Sequence, residues 1–504
     1  PCRIRVTHKL LPPPAENVLV VTLESGLFHA ANKSVEGYYV NTVDGNLHKR
    51  IWLRKPQFSF GWDWAPRCVN VGIHGDVALR WERDALVTQT SVRVAPDAAF
   101  RDAASGGVVS GSSAAGGSAE RWIVTARVAV TGLPAGSGKR VKLRIAIPEL
   151  GAEGTREAEL APGEQMLEAS AAVVSPELWW PAGCGGQKRY EVLVRLSAAD
   201  GEVFYETTRK TGFRTVRFDQ SPHPKGGRSF TLLVNGRPVF AKGANVVPSD
   251  IILARIDRNR TETLIERALE ANFNFLRVWG GGRYETDDFY DLCDERGILV
   301  WQDFMFACGS YPATDEAFYA NVKREAVYQI RRLAEHPSLV AWCGNNENEW
   351  LTAEREEGVV QPDYFLYHSL FPKLLKEEDP AKYYQPSSPF SPDHEFPNSA
   401  LAGDQHPWEI GFWNQDFREY RRMEARFPTE GGMLGPTSLP TMLECLPPGQ
   451  RFNPSFAWQI HDNGIDRWDT RSTVDPLVLD WTGLDPRAMD IETFTYYGGL
   501  LHGE

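Results

Sequence analysis

The chain has 504 residues, 42% of them apolar and 24% charged, a globular composition on a length too great for one core. A formal net charge of −12 with no compensating Lys/Arg block repels a phosphate backbone, which excludes nucleic acid as a partner. No apolar run reaches the ~18 residues that cross a membrane, and seven scattered cysteines without a C-x-x-C pair indicate neither a zinc site nor a disulfide framework.

The start, Pro1-Cys2-Arg3-Ile4, has no initiator Met and no secretory pattern and reads as an interior cut. It leaves the compartment open, with the cytoplasm as the default, and the sequence is silent on oligomeric state. From Val18 to about Val94, short β-rich runs such as 18–22 and 77–81 predict antiparallel sheet. Alternating segments at 122–128, 141–147 and 190–196 then predict a β-sandwich. The Gly/Ser/Ala stretch at 103–119 has little to bury and predicts a mobile loop without chemistry.

Beyond about Asp219 the rhythm becomes short apolar strands separated by amphipathic helices, the pattern of β/α units on a parallel sheet. Strands are expected at 239–243, 275–279, 298–303, 339–344, 383–386, 401–404 and 426–429. A helix at 286–296 should end at Gly297, and a second, capped by Thr314, should bury Phe318, Val322, Ala326, Ile330 and Leu333. Seven units predict a (β/α)8 barrel with its eighth strand cryptic after Val474 or beyond Glu504.

Reactive groups in such barrels sit where strands end. Two strands run out into carboxylates there, Trp342-Cys343-Gly344-Asn345-Asn346-Glu347 and Pro428-Thr429-Glu430-Gly431-Gly432. Facing carboxyls can divide the work of glycosidic cleavage, one donating a proton and the other attacking the anomeric carbon. A lone strand-end Glu is more often a salt-bridge partner.

The block Arg277-Val278-Trp279-Gly280-Gly281-Gly282-Arg283-Tyr284-Glu285, with Trp301-Gln302-Asp303-Phe304-Met305-Phe306-Ala307-Cys308 and His336-Pro337-Ser338, resembles the β-mannosidases of glycoside hydrolase family 2. Phe60-Gly61-Trp62-Asp63-Trp64-Ala65-Pro66-Arg67 resembles part of their N-terminal jelly roll, and Leu178-Trp179-Trp180-Pro181 with Thr211-Gly212-Phe213-Arg214 the closing strands of their immunoglobulin-like domain. The resemblance implies the end of a jelly-roll sugar-binding domain at 1–90, an immunoglobulin-like sandwich at 91–217 and a truncated catalytic barrel at 218–504.

The same resemblance implies that Glu347 is the acid/base and Glu430 the nucleophile of a retaining exo-β-mannosidase acting on terminal β-mannose, with no metal or cofactor. Asn346 should meet the sugar 2-hydroxyl, Asp63 the distal hydroxyls, and Trp279 should form a wall. Trp62, Arg277, Asp404 and His406 complete the expected substrate contacts, and Trp350 can supply a second wall. An exo-β-glucosaminidase, an endo-β-mannosidase and a non-catalytic sugar-binding relative are the alternatives. Carboxyls roughly 5–5.5 Å apart fit retention, and about 9 Å would fit inversion.

Overall fold

The computed structural model describes residues 4, 6, 9–12, 14–40, 48–73, 75, 77–97, 121–353, 361–393, 396–412, 414, 416–461 and 474–504. The expected loop at 103–119 lies outside them.

Seven antiparallel strands form two packed sheets. β1 (Ala85–Pro96), β2 (Arg121–Gly132) and β5 (Gly163–Val174) make one in the order β1-β2-β5. β3 (Arg140–Ile147), β4 (Ala152–Glu159), β6 (Tyr190–Ala198) and β7 (Val203–Thr211) make the other in the order β4-β3-β6-β7. Strict alternation along β2 sends Trp122, Val124, Ala126, Val128 and Val130 into the core shared with Leu143, Ile145 and Val194. Each buried Val, Leu or Ile among them stabilises the fold by about 1.5–3 kcal/mol.

The hairpins of β8 (Val216–Asp219), β9 (Thr231–Val234) and β10 (Arg237–Pro238) lead into a five-stranded parallel sheet. Its members are β11 (Gly243–Val246), β12 (Phe275–Val278), β13 (Leu299–Asp303), β14 (Leu339–Cys343) and β15 (Tyr383–Gln385), paired in sequence order. Phe218 and Phe230 pack against Trp301 and Val340 on one face, and helices cover Leu276, Val300 and Trp342 on the other. Burial on both faces is why these strands read as continuous apolar runs.

Among the described residues no strand forms in 9–84: Val18, Val20, Leu79 and Trp81 are 73–86% exposed, because a short strand needs a neighbouring edge to satisfy its backbone. The first parallel strand begins at Gly243, since Val239 donates its N–H to Leu232 and prolongs the preceding hairpin. The strands expected at 401–404 and 426–429 are single bridges, Phe390 to Asp404 and Gln405 to Pro428. No strand follows Val474, where two helices, Val474–Thr482 and Ile491–Gly503, run instead.

The helix Asp287–Arg296 ends at Gly297 in the left-handed conformation, φ 77°. The helix Glu316–Leu333 buries the five expected residues, but its cap is Asp315, whose carboxylate accepts the Phe318 N–H, in place of Thr314. The sandwich docks under the parallel sheet through Arg214, which donates to the carbonyls of Pro337 and Leu339, and through Thr211 to that of Glu335.

Candidate active site

The upper ends of the parallel strands converge on one cluster. Arg277 is the penultimate residue of β12 and is 2% exposed. Its Nη1 donates to Glu430 Oε1 at 2.7 Å and Asn245 Oδ1 at 3.3 Å, and its Nη2 to Asp303 Oδ2 at 2.7 Å and Asn346 Oδ1 at 2.8 Å. Burial disfavours the charge, yet the carboxylates of Asp303 and Glu430 raise the guanidinium's pKa above its ordinary value. Burial also pushes Asp303 up to about 6 against the pull of Arg277. Gly280 donates its N–H to Asp303 Oδ2 at 3.0 Å, and a Cβ there would lie 2.5 Å from the Phe306 carbonyl oxygen, so the turn after Trp279 has no room for a side chain.

Glu347 follows β14 with φ 65°, a left-handed conformation that costs a non-glycine residue about 1 kcal/mol or more. Backbone partners hold it there: its N–H donates to Ser388 O at 2.8 Å and its carbonyl accepts from Leu351 at 3.0 Å. Asn345 Oδ1 accepts the Asn348 N–H at 3.0 Å and starts the next helix, Asn348–Ala353. The abrupt reversal turns the Glu347 carboxyl into the mouth. There Oε1 lies 2.8 Å from His406 Nδ1 and Oε2 accepts from the Cys308 thiol at 3.1 Å. Burial, reinforced by Glu347, pushes that thiol well above its ordinary pKa, so it stays a donor.

Glu430 completes the pair, its Oε2 accepting from Trp408 Nε1 at 2.9 Å. One oxygen of each glutamate and a ring nitrogen of His406 lie within 4.8 Å of one another. His406 is fully buried, and burial pushes it down to about 4, with Glu430 opposing the shift and Arg277 adding to it. The imidazole is therefore neutral near pH 7.

Of the expected contacts, Arg277, Asn346, His406 and both glutamates meet in this cluster. Asp404 lies behind them, fully buried, and accepts from Gln385, Ser388, the Phe390 N–H and Thr429. Trp279 is 5% exposed, with Trp62 and Trp64 edge-on at ring distances of 4.9 and 5.8 Å. Asp63, exposed, stands between Trp62 and Trp64 in the chain, in a turn closed by hydrogen bonds between Trp62 and Ala65. Trp350 stands edge-on to His406 at 6.1 Å. This N-terminal segment is anchored at the mouth by Arg50, which donates to the carbonyls of Ala307 and Cys308, and by Phe58 to that of Gly281. Cys308, Trp408, Ser388 and Asp303 escaped the sequence reading; the only signal for Trp408 was its place two residues after His406.

Family models described as "Glycosyl hydrolase 2 galactose-binding domain-like" and "Glycosyl hydrolases family 2" match residues 1–75 and 118–214. Beta-mannosidase B of Aspergillus clavatus is 34% identical over 400 residues, 76% of this chain and 44% of the relative. Beta-mannosidase of Bos taurus is 32% identical over 450 residues, 82% and 46% respectively. The chain spans about half the length of the curated relatives it matches. The crystal structure of a β-D-mannosidase from Dictyoglomus thermophilum superposes with a TM-score of 0.79 at 32% identity, covering 94% of this chain and 55% of that one.

Proposed function

Because the chain belongs to glycoside hydrolase family 2 and is homologous through most of its length to β-mannosidases, we propose that it carries the catalytic pair of a retaining exo-β-mannosidase. The observation that carries this reading is the approach of Glu347 and Glu430, oxygens within 4.8 Å across one mouth. That closeness fits the nucleophile and acid/base of a retaining pair, whose carboxyls stand roughly 5–5.5 Å apart, better than the wider separation of an inverting pair.

Arg277 and Trp408 each occupy one oxygen of Glu430. This fixes the orientation of the carboxylate for attack on the anomeric carbon. Glu347 protonates the leaving oxygen as the C–O bond breaks, and a mannosyl ester forms on Glu430. In the second step Glu347 takes a proton from water, which displaces Glu430 with net retention. Asn346, fixed by Arg277, has amide hydrogens beside Glu347 for the sugar 2-hydroxyl, and Asp63 with Trp62 closes the distal end of the pocket, making cleavage exo. The parallel sheet is read as part of a (β/α)8 barrel: Asn245 Nδ2 donates to Thr429 O at 3.0 Å, drawing the seventh strand position back to the first. The sandwich is read as immunoglobulin-like, and residues 1–90 as part of a jelly roll.

The test is turnover of the purified chain on aryl β-mannoside and aryl β-glucosaminide, with NMR reading the anomer released first. β-Mannose released first from the mannoside is expected. α-Mannose, or turnover confined to the glucosaminide, would overturn the assignment.

A further inference from the structure

Counting protons along the buried side chains behind Glu347 fixes where its own proton sits. Asp404 Oδ2 is approached by Ser388 Oγ at 2.5 Å and Thr429 Oγ1 at 2.6 Å. Both lengths are those of O–H donors on a carboxylate, which accepts only. Each hydroxyl has one proton, and both are thereby committed to Asp404. The contact at 3.1 Å between Ser388 Oγ and His406 Nε2 must then be an N–H donation from the ring to the hydroxyl oxygen. A neutral imidazole with its proton on Nε2 has a bare Nδ1, and Nδ1 is the atom 2.8 Å from Glu347 Oε1.

We infer that Asp404, Ser388 and His406 form a hydrogen-bonded chain that holds His406 as the Nε2–H tautomer and so keeps the proton of Glu347 on Oε1, facing His406 Nδ1. The inference rests on Glu347 being the acid/base and assigns it three positioning residues. In the first step that proton passes to the leaving oxygen, and the carboxylate left behind faces the Nδ1 lone pair. This contact favours its taking a proton back from water in the second step. Also facing Glu347 are the Cys308 thiol on Oε2 and the carboxylate of Glu430, which is paired with Arg277; Glu430 Oε2 lies 3.4 Å from His406 Nδ1 and is held by Trp408. The neutral state of His406 agrees with its depressed pKa of about 4, set by burial.

Nitrogen-15 NMR of the histidine-labelled full chain, with His406→Gln to assign the signal, reads the tautomer without turnover. Protonated Nε2 and bare Nδ1 are expected; protonated Nδ1 overturns the inference. Ser388→Ala releases the ring, which can then turn N–H toward Glu347 and stabilise its charged form. The basic limb of kcat/KM should fall by about one pH unit, with Ser388→Thr restoring it. An unmoved limb with an unchanged tautomer in Ser388→Ala would also sink the chain. Wild-type turnover by Glu347→Gln would remove the acid/base assignment itself and leave the tautomer measurement standing.

Discussion

At the mouth of the parallel sheet Arg277 meets Asp303, Asn346, Asn245 and Glu430 at 2.7–3.3 Å, whereas at the junction with the sandwich the equally buried Glu335 keeps one oxygen, Oε2, without a partner. Its other oxygen accepts from Arg209 Nη1 at 3.4 Å. Asp294 beside it is matched, by His336 Nδ1 at 2.7 Å and the Ser338 N–H at 3.0 Å. Burial alone therefore does not decide whether a carboxyl stays charged. The donors brought to it matter as much: the mouth gives each oxygen of Glu430 a donor, while burial pushes Glu335 up to about 7, with Arg209 and His336 opposing and Asp291 and Asp294 adding.

The largest effect that separates the two regions is on turnover. Glu430→Ala should lower kcat on an aryl β-mannoside by on the order of 10⁴-fold, while Glu335→Gln leaves it within a factor of a few. A comparable loss from both would erase the functional distinction between mouth and junction. Next comes Arg277→Met. It strands Asp303 and Glu430 as buried unpaired charges and should cost about 3–5 kcal/mol in urea unfolding. A loss below about 1 kcal/mol would mean that water already solvates those carboxylates.

How much of this was legible in the sequence follows the same division. β12 to β15 and the carboxylates after them were readable because an apolar run ending abruptly in polar residues is a local signal. The helix Glu316–Leu333 was readable from its period. Its cap was misplaced by one residue because Thr314 and Asp315 are both good caps and only geometry chooses between them. The 401–404 and 426–429 segments were expected as strands, yet they are positioned by Asp404, Gln405 and Thr429 side chains more than by a ladder. Cys308 and Trp408 have no periodicity to betray them; their roles exist only once separate loops meet. The runs at 18–22 and 77–81 failed because alternation states which face wants burial and says nothing of the partner edge.

Stability against pH sharpens the junction side. The folded-state pKa of Glu335, about 7, stands above its ordinary 4.5. Its contribution is therefore fully present below about pH 4.5 and is lost as pH rises through 7, by at most about 3 kcal/mol. Glu335→Gln cannot ionise, so its melting temperature relative to the parent should rise between pH 5 and pH 8. A difference independent of pH would mean that the charge finds a partner after all.

The smallest effect concerns the helix Glu316–Leu333, which joins the two regions: it starts on the mouth side and delivers Glu335 to the junction. Asp315 accepts the Phe318 N–H at 2.9 Å and also takes Lys33 Nζ at 3.4 Å, and those donors hold its carboxyl below its ordinary pKa. Asp315→Ala leaves a first-turn N–H without its acceptor and should cost about 1 kcal/mol at neutral pH. The cost should shrink in acid, because a protonated cap is a weaker acceptor. Thr314→Ala should stay within about 0.5 kcal/mol. The reverse ranking in urea titrations would restore Thr314 as the cap and shift the helix start by a residue, and with it the turn in which Phe318 enters the core.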